Sequence, residues 1–372
     1  MKKNSVLFVV EDVNKSGSPQ TAFHFVESLS KAYDVDLLIM CSSDKENDLY
    51  RLDEFKKVCR KIELLEIPHL ITKKYKLFAS SYCKVVLKKI LTVFEQNEYS
   101  YLYINRVLIA GYVFPVIKKR YQCKLVFNAL GNLSNYRKSK YFFINNRYKK
   151  DVKRLVDNVD FYIAISKNAI LKEMSDKQDK ITIINDYPVM EYKSSKKTFN
   201  KKGKIVLGQI GYFADIKNQL FSLRVLNSLI KEGVDASIVF MGFNAVGSDA
   251  YYKKMESYIL ENELGKHVKF IDKDSDKNQF FDSIDLTLLP SITEGLPIVA
   301  LESQTRRTPC LASLVVPEEA NYGLLYRMNI EKEEDWIKFI LSENYKKDIS
   351  APFDLKNEFD NLVKKVFNIE HS

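Results

Sequence analysis

The chain has 372 residues, 46% of them hydrophobic and 28% charged, which is the composition of a globular protein with enough length for two domains. No run of 18 apolar residues occurs, so we expect no membrane-spanning helix. The five cysteines form no CxxC pair, which favours reduced thiols in a cytoplasmic protein. The formal net charge is +10, and residues 1–195 carry 34 Lys and Arg against 22 Asp and Glu, so the first half holds the positive excess.

The first half of the chain is predicted to alternate strands with helices. Short apolar runs predict strands at 5–10, 35–40, 101–104, 124–128 and 161–166, and helices are predicted at 21–31, at 82–94 and from 167 onward. Alternation of this kind is typical of a parallel sheet that is covered by helices on both faces. We therefore expect residues 1–190 to form one α/β domain.

The second half repeats the pattern after a polar, lysine-rich stretch at 191–203, which is predicted to be a linker. Strands are predicted at 204–211, 237–242, 267–271 and 285–289, with an amphipathic helix at 218–230. We therefore expect a second α/β domain at 204–349, and ligands of such sheets bind at the carboxyl ends of the strands. A last helix is predicted at 355–367, within a tail of residues 350–372.

One loop of the second domain places two acids where they can do chemistry. The strand at 285–289 ends in a turn, and a helix is predicted to begin near Pro297, because proline is favoured in a first helical turn. Glu294 lies in the loop, and Glu302 lies about a turn and a half inside the helix. A helix N-terminus attracts anions, so one carboxylate can face a reacting group while the other holds a neighbouring hydroxyl. Two unrelated surface acids are the alternative interpretation.

The whole string at 290–302, Pro-Ser-Ile-Thr-Glu-Gly-Leu-Pro-Ile-Val-Ala-Leu-Glu, resembles the donor-site motif of the retaining family-4 glycosyltransferases of the GT-B fold. The resemblance implies two Rossmann-like α/β domains that face a central cleft, with the tail at 350–372 crossing back to the N-terminal domain. It also implies a hexosyltransferase that moves a sugar from a nucleotide-sugar, with a UDP-sugar favoured. The acceptor would be a growing glycan or a lipid-linked acceptor in bacterial surface polysaccharide synthesis.

The resemblance also assigns roles to residues of the donor site. Glu294 and Lys217 would be catalytic, and Lys217 matches the lysine of the family's Gly-Arg…Lys-Asn motif, where a cation holds the donor diphosphate. Glu302 would bind the ribose hydroxyls, and the N–H groups near 296–298 would bind the diphosphate. The residues expected to bind the donor are Gly211, Lys217, Ser291, Gly295, Leu296, Pro297, Ile298, Glu302 and Ile271.

Two positions depart from the family pattern. Tyr212 stands where the family usually has Arg, so one diphosphate cation is missing; either Arg306 or Arg307 supplies it, or activity is low. Asn128 stands where many members have a His, and an amide cannot exchange a proton at neutral pH. These departures keep open a second hypothesis, a catalytically silent GT-B subunit that binds and stabilises a partner glycosyltransferase.

The acceptor side is expected in the first domain, at Gly17, Ser18, Asn105 and Asn128. The two amides follow neighbouring predicted strands and would face the same way. The pair Gly17-Ser18 matches the family's glycine pair only in part, so a plain turn between strand and helix is an equal alternative.

No metal and no cofactor is expected. Two Asp-x-Asp strings, at 34–36 and 272–274, are interpreted as turn residues rather than as metal ligands. Lys217 and the helix N-terminus would already offset the charge of a diphosphate, so a divalent ion is unnecessary.

Three segments, at 73–78, 136–143 and 146–150, mix basic with aromatic residues. Such a mixture suits peripheral association with an anionic membrane surface, here the inner face of the cell membrane. Ordinary solubilising charge is the alternative. Nothing in the chain resembles a nucleic-acid-binding module, so no nucleic-acid partner is expected.

Overall fold

The computed structural model describes residues 5–42, 48–67, 79–105, 110–130, 142–190, 192–193, 195, 197–199, 204–244, 249–346 and 354–367. The chain divides into two compact units: unit 1 comprises Met1–Asp186 and Lys356–Ser372, and unit 2 comprises Tyr187–Leu355. The chain therefore passes between the units twice, after Asp186 and after Leu355.

Strands and helices alternate along most of the described chain. The strands are β1 Ser5–Val10, β2 Asp34–Ile39, β3 Lys61–Leu64, β4 Tyr101–Asn105, β5 Lys124–Ala129, β6 Phe161–Ala164, β7 Ile181–Ile183, β8 Lys204–Ile210, β9 Asp235–Gly242, β10 Val268–Asp272, β11 Leu286–Leu289, β12 Cys310–Ser313 and β13 Leu325–Met328. The helices are α1 Gly17–Ser30, α2 Leu52–Lys56, α3 Ala79–Gln96, α4 Ala110–Tyr121, α5 Phe142–Asn158, α6 Gln219–Lys231, α7 Asp249–Glu261, α8 Lys277–Ser283, α9 Ile298–Thr305, α10 Glu333–Leu341 and α11 Leu355–Phe367.

Unit 1 is built on a parallel seven-stranded sheet in the order β3-β2-β1-β4-β5-β6-β7. Its central strands are buried along nearly their whole length: in β1 every residue after Ser5 is buried. Continuous apolar strands are typical of parallel sheets whose two faces are both covered. The parallel α/β architecture that the sequence predicts is therefore confirmed for unit 1.

Helix α11 has the bounds predicted from the sequence, and it packs in unit 1. Phe359, Val363 and Phe367 are buried at helical spacing. The ring of Phe367 lies 5.2 Å from that of Tyr101, and the Tyr33 hydroxyl donates a hydrogen bond of 2.7 Å to the Phe367 carbonyl. The last helix of the chain thus completes the core that the first strands began.

Unit 2 is built on a parallel six-stranded sheet in the order β10-β9-β8-β11-β12-β13. Alternate residues of β8 serve opposite faces: Ile205 and Leu207 join a large core cluster that contains Trp336, whereas Val206 packs against a smaller cluster around Phe280. Helix α8 therefore covers one face, and it packs beside the site described below.

Two local predictions are wrong. The helix expected from residue 167 is replaced by three short 3-10 turns, because the Tyr162 hydroxyl accepts from the Leu171 N–H and donates to the Ala169 carbonyl. The string at 34–36 is not a turn: it opens β2, and the buried Asp36 carboxylate accepts from Arg60 and from the Tyr99 hydroxyl. The turn expected at 272–274 is present, with the Asp274 N–H donating to the Asp272 side chain.

Candidate active site

The carboxyl ends of β8 and β11 bring together the two residues that the sequence marks as catalytic. Lys217 lies in a 3-10 turn that follows β8, and Glu294 lies in the loop between β11 and α9. The Nζ atom of Lys217 is 2.7 Å from Oε1 of Glu294, and the two side chains are 19% and 9% exposed. A cation and a carboxylate therefore share one partly buried position, although 77 residues separate them.

Hydrogen bonds fix these two loops against each other. The side-chain amide of Gln209 donates to the Lys217 carbonyl at 2.8 Å, and the backbone N–H of Ile292 donates to the Ile216 carbonyl at 2.9 Å. Asn218, which adopts a left-handed conformation with φ 54°, donates from its side chain to the Pro290 carbonyl. The bonds from Ile292 and Asn218 therefore join the two loops in addition to the ion pair.

Two glycines allow the backbones at this edge of the sheet to approach closely. Gly211 has φ 150°, a conformation that other residues rarely adopt. A Cβ atom at Gly242 would lie 2.1 Å from the Gly211 carbonyl oxygen, so the end of β9 admits no side chain there. The shape of the loop that leads to Lys217 depends on both positions.

The second carboxylate lies in α9 and has a lysine partner. Glu302 is buried, its Oε1 atom accepts a hydrogen bond of 2.5 Å from Lys277, and its Oε2 atom has no hydrogen-bond partner among the described residues. The buried Ser291 hydroxyl likewise lacks a partner in the described part of the chain. Buried polar atoms are usually hydrogen-bonded, so these two oxygens are exceptions within the described part of the chain.

The start of α9 lies between the two carboxylates. Pro297 is the N-cap residue and its carbonyl accepts from the Ala300 N–H. Proline has no N–H, so among the donors expected at 296–298 it contributes only a fixed backbone angle, and the donors are the N–H groups of its neighbours. Burial, together with the nearby charge of Glu294, raises the pKa of the Cys310 thiol, which keeps that neighbouring group neutral.

Residues 191–320 match the protein-family model described as Glycosyl transferases group 1. This segment is similar to group 1 glycosyltransferases over 130 residues. It contains Lys217, Glu294 and Glu302, so the residues brought together by the fold all belong to the matched part of the chain.

Similar curated proteins match only part of this chain. The chain is 24% identical over 131 residues to the putative glycosyltransferase EpsF of Bacillus subtilis, and the match covers 35% of this chain and 33% of EpsF. It is 32% identical over 139 residues to the capsular polysaccharide biosynthesis glycosyltransferase CapH of Staphylococcus aureus, covering 37% of each. It is 24% identical over 187 residues to the UDP-Gal:alpha-D-GlcNAc-diphosphoundecaprenol alpha-1,3-galactosyltransferase of Escherichia coli, covering 46% of this chain and 45% of that enzyme. Each match thus spans less than half of the relative's length.

Solved structures match nearly the whole chain. HepE from Anabaena, in complex with UDP and glucose, superposes with a TM-score of 0.74 at 15% identity over 98% of this chain and all of HepE. The lipopolysaccharide outer core galactosyltransferase WaaB superposes with a TM-score of 0.68 at 15% identity over 98% of both chains. The predicted fold, two parallel-sheet α/β domains of the GT-B type, is therefore confirmed.

Tyr212 stands where the resemblance predicts a second cation, and the two arginines considered as replacements have partners elsewhere. The Tyr212 ring lies 5.9 Å from Nζ of Lys217. Arg306 pairs with Asp282 at 2.7 Å, and Arg307 donates to the Lys193 carbonyl and the Tyr192 hydroxyl. Both arginines follow the C-terminal end of α9, whereas the ion pair lies before its first residue.

Other predicted donor residues of unit 2 are distributed along the same edge of the sheet. Gly295 and the buried Leu296 follow Glu294 directly, and Ile298 is the first residue of α9. Ile271 is different, because it lies in β10, which is two strands away from β8, where it packs partly buried against the smaller core cluster. Ile271 is thus brought to the same sheet but not to the ion pair.

In unit 1 the structure brings two of the four acceptor-side residues together. Asn105 and Asn128 are buried partners in β4 and β5, and the Asn128 amide donates to the Asn105 side chain at 3.0 Å. Gly17 and Ser18 lie in the first turn of α1 rather than in a loop, with Ser16 as the N-cap residue. Proline at position 19 suits that first turn, which explains why the helix begins earlier than the apolar spacing predicts.

Sequence reasoning missed two polar clusters. His24 and Thr21 of α1 both contact the buried Asp186 carboxylate, at 2.6 Å and 2.5 Å, and no motif signals this long-range contact. Lys277, the partner of Glu302, was also missed, because only the tertiary fold brings these two residues together. Lys277 follows Asp276, whose carboxylate caps α8. The sequence therefore indicates a helix start at this position but not the contact with Glu302.

Some of the residues predicted to contact a membrane lie outside the described residues: Lys73, Lys74, Lys76, Arg137, Lys138 and Lys140. In the described ranges, no helix is long and apolar enough to cross a bilayer, and no group of three or more His, Cys, Asp and Glu side chains is placed to hold a metal ion. All five cysteines are free thiols.

Proposed function

We propose that this protein is a retaining glycosyltransferase that transfers a sugar from a UDP-sugar to a growing glycan or a lipid-linked acceptor in bacterial surface polysaccharide synthesis. The observation that carries the proposal is the convergence of Lys217 and Glu294 before the first turn of α9. The names of CapH and of the Escherichia coli galactosyltransferase, and the UDP and glucose bound to HepE, support the substrate class.

Each residue of the site has a proposed task. Lys217 and the N–H groups at the start of α9 hold the donor diphosphate and stabilise its charge as it departs. Glu294 faces the hexose and stabilises the oxocarbenium-like centre. Glu302 accepts from the ribose hydroxyls through its available Oε2 atom. Gly211, Ser291, Gly295, Leu296 and Ile271 line the donor, and Lys217 makes a divalent metal unnecessary.

The proposed transfer needs no side-chain base. The bond between the anomeric carbon and the diphosphate oxygen breaks, and the acceptor oxygen bonds to the same carbon on the same face. The proton of the acceptor hydroxyl passes to the departing phosphate oxygen. Asn128 replaces a histidine and cannot take this proton, but its amide and that of Asn105 can hydrogen-bond an acceptor hydroxyl.

A second candidate function is a catalytically silent subunit that stabilises a partner glycosyltransferase. The observation that favours it is Tyr212 at the position where the family pattern has a cation. A silent subunit would bind UDP-sugars weakly or not at all and would release no UDP from them.

We further propose that the protein acts in the cytoplasm as a peripheral protein of the inner membrane face. The +12 excess of residues 1–195 and their basic, aromatic segments support this location, because basic residues are attracted to anionic headgroups. Lys149 and Lys150 of α5 are exposed, as this role requires.

Release of UDP from UDP-glucose, UDP-galactose and UDP-N-acetylglucosamine tests the function. UDP should appear slowly with water as acceptor, and Glu294→Gln should abolish this release. Glu334→Gln is the matched control, because Glu334 is 86% exposed on the surface of the same unit. Equal UDP release by the unmodified protein and by Glu294→Gln would contradict the proposed role. No release at all, with no UDP binding, would favour the silent subunit.

A further inference from the structure

The contact between Lys277 and Glu302 joins two helices on one face of the unit 2 sheet. Lys277 is the first residue of α8 and Glu302 lies in α9. The lysine Nζ is 2.5 Å from Glu302 Oε1, and the two side chains are 40% and 3% exposed. The carboxylate is therefore buried, while its cation is half open to solvent.

The two oxygens of Glu302 differ in their environment. Oε1 is occupied by Lys277, and Oε2 is buried without a hydrogen-bond partner in the described part of the chain. Burying an ionised carboxylate is costly unless a cation and hydrogen bonds compensate it. Lys277 supplies the cation, and none of the described residues donates a hydrogen bond to Oε2.

We propose that Lys277 is a positioning residue that makes Glu302 selective for a ribose. This inference rests on the proposed function, in which Glu302 accepts from the ribose of the donor. Lys277 holds the carboxylate in one orientation through its contact with Oε1, so that Oε2 faces the ligand with free lone pairs. A vicinal diol donates to such an oxygen, whereas a sugar without these hydroxyls leaves it buried and unsatisfied.

The alternative is that the ion pair only joins α8 to α9. In that case the loss of Lys277 would lower the stability of unit 2 and would weaken the binding of all nucleotides equally. A positioning role predicts a different effect, because the penalty falls only on ligands that carry the hydroxyls. Comparison of two ligands that differ only in these groups separates the two roles.

The experiment measures the affinities of UDP and of 2′,3′-dideoxy-UDP by calorimetry. The unmodified protein should prefer UDP by about tenfold or more, which is the range expected for a hydrogen bond to a charged group. Lys277→Met should bind UDP more weakly and lose most of this preference, and Lys277→Arg should restore it. Lys338→Met is the matched control, because Lys338 forms an exposed pair with Glu334.

The outcomes distinguish the inference from the proposed function. If Lys277→Met keeps the preference of the unmodified protein, the positioning role is overturned while the donor site stands. If the unmodified protein binds both nucleotides equally, Glu302 does not read the ribose and the inference fails. If it binds neither, the proposed donor fails as well. Thermal unfolding of each variant checks that the protein is folded.

Discussion

The Nζ atom of Lys217 lies 2.7 Å from Oε1 of Glu294, so the proposed diphosphate cation and the proposed hexose carboxylate neutralise each other in the free protein. A diphosphate that binds Lys217 must compete with Glu294 for the same ammonium group. Donor binding would therefore free the Glu294 carboxylate from Lys217, so that it can interact with the sugar of the bound donor.

This competition predicts opposite effects of one substitution on turnover and on nucleotide binding. Glu294→Gln should lower the rate of transfer about 10²–10³-fold, because one preorganised charge is lost. The affinity for free UDP should not fall, and it should rise a few fold, since Lys217 no longer has an anionic partner. Stopped assays and calorimetry on the same preparation measure both effects. A variant with weaker UDP binding and normal turnover would contradict the assignment.

Lys217→Ala should weaken UDP binding, because the diphosphate loses its cation. The loss should shrink as salt is added, since screening already weakens the attraction in the unmodified protein. Calorimetry at low and high ionic strength measures this dependence. Lys338→Ala, at a 73% exposed side chain of the same unit, provides the control. Unchanged affinity for UDP at low salt would place the diphosphate elsewhere.

Gly242→Ala should damage the loop that leads to Lys217. The added Cβ would lie 2.1 Å from the Gly211 carbonyl, so one backbone has to move, at a cost of about 1–3 kcal/mol. Unfolding by denaturant measures the stability, and calorimetry measures the loss of UDP binding. Gly265→Ala is a matched control, because its Cβ would meet nothing within 4 Å. Equal behaviour of the two variants would show that the approach of the loops is not required.

Phe367→Ala should destabilise unit 1 although the residue lies near the end of the chain. The side chain is buried against Tyr33 and Tyr101, and removing a buried phenylalanine costs about 3–5 kcal/mol. Denaturant unfolding that is followed by the fluorescence of the tyrosines measures the loss. Lys365→Ala on the same helix should have little effect. A Phe367 variant as stable as the Lys365 variant would mean that α11 is not part of the unit 1 core.

Charge-driven membrane association predicts sedimentation with anionic vesicles only. Binding should fall with added salt and should weaken when Lys73, Lys74, Lys76, Arg137, Lys138 and Lys140 are changed to Glu, because each basic residue contributes about 1 kcal/mol near an anionic surface. The control changes six exposed lysines of unit 2 to Glu: Lys231, Lys253, Lys254, Lys266, Lys332 and Lys338. Equal sedimentation with neutral and anionic vesicles, or none with either, would reject the hypothesis.

The sequence predicted those features that depend on local pattern. Apolar spacing predicted α11 at its observed bounds, and the motif at 290–302 located Glu294 at a helix start. The sequence did not predict Lys277 as the partner of Glu302, because a contact between two helices has no fixed spacing along the chain. The segment after Ser166 was also predicted wrongly, since the hydroxyl of Tyr162, and not helical propensity, determines its turns.

The position of α11 has a consequence for the synthesis of the protein. The Tyr33 hydroxyl and the Phe367 carbonyl that it contacts are separated by 334 residues. At about 5–20 residues per second, a ribosome needs on the order of tens of seconds to make the intervening chain. Until α11 is made, α1 and β4 lack the aromatic side chains that pack against Phe25 and Tyr101. Translation of unit 1 therefore begins before that of unit 2 but its core closes later, and nascent chains that end before α11 would expose apolar surface to chaperones and proteases.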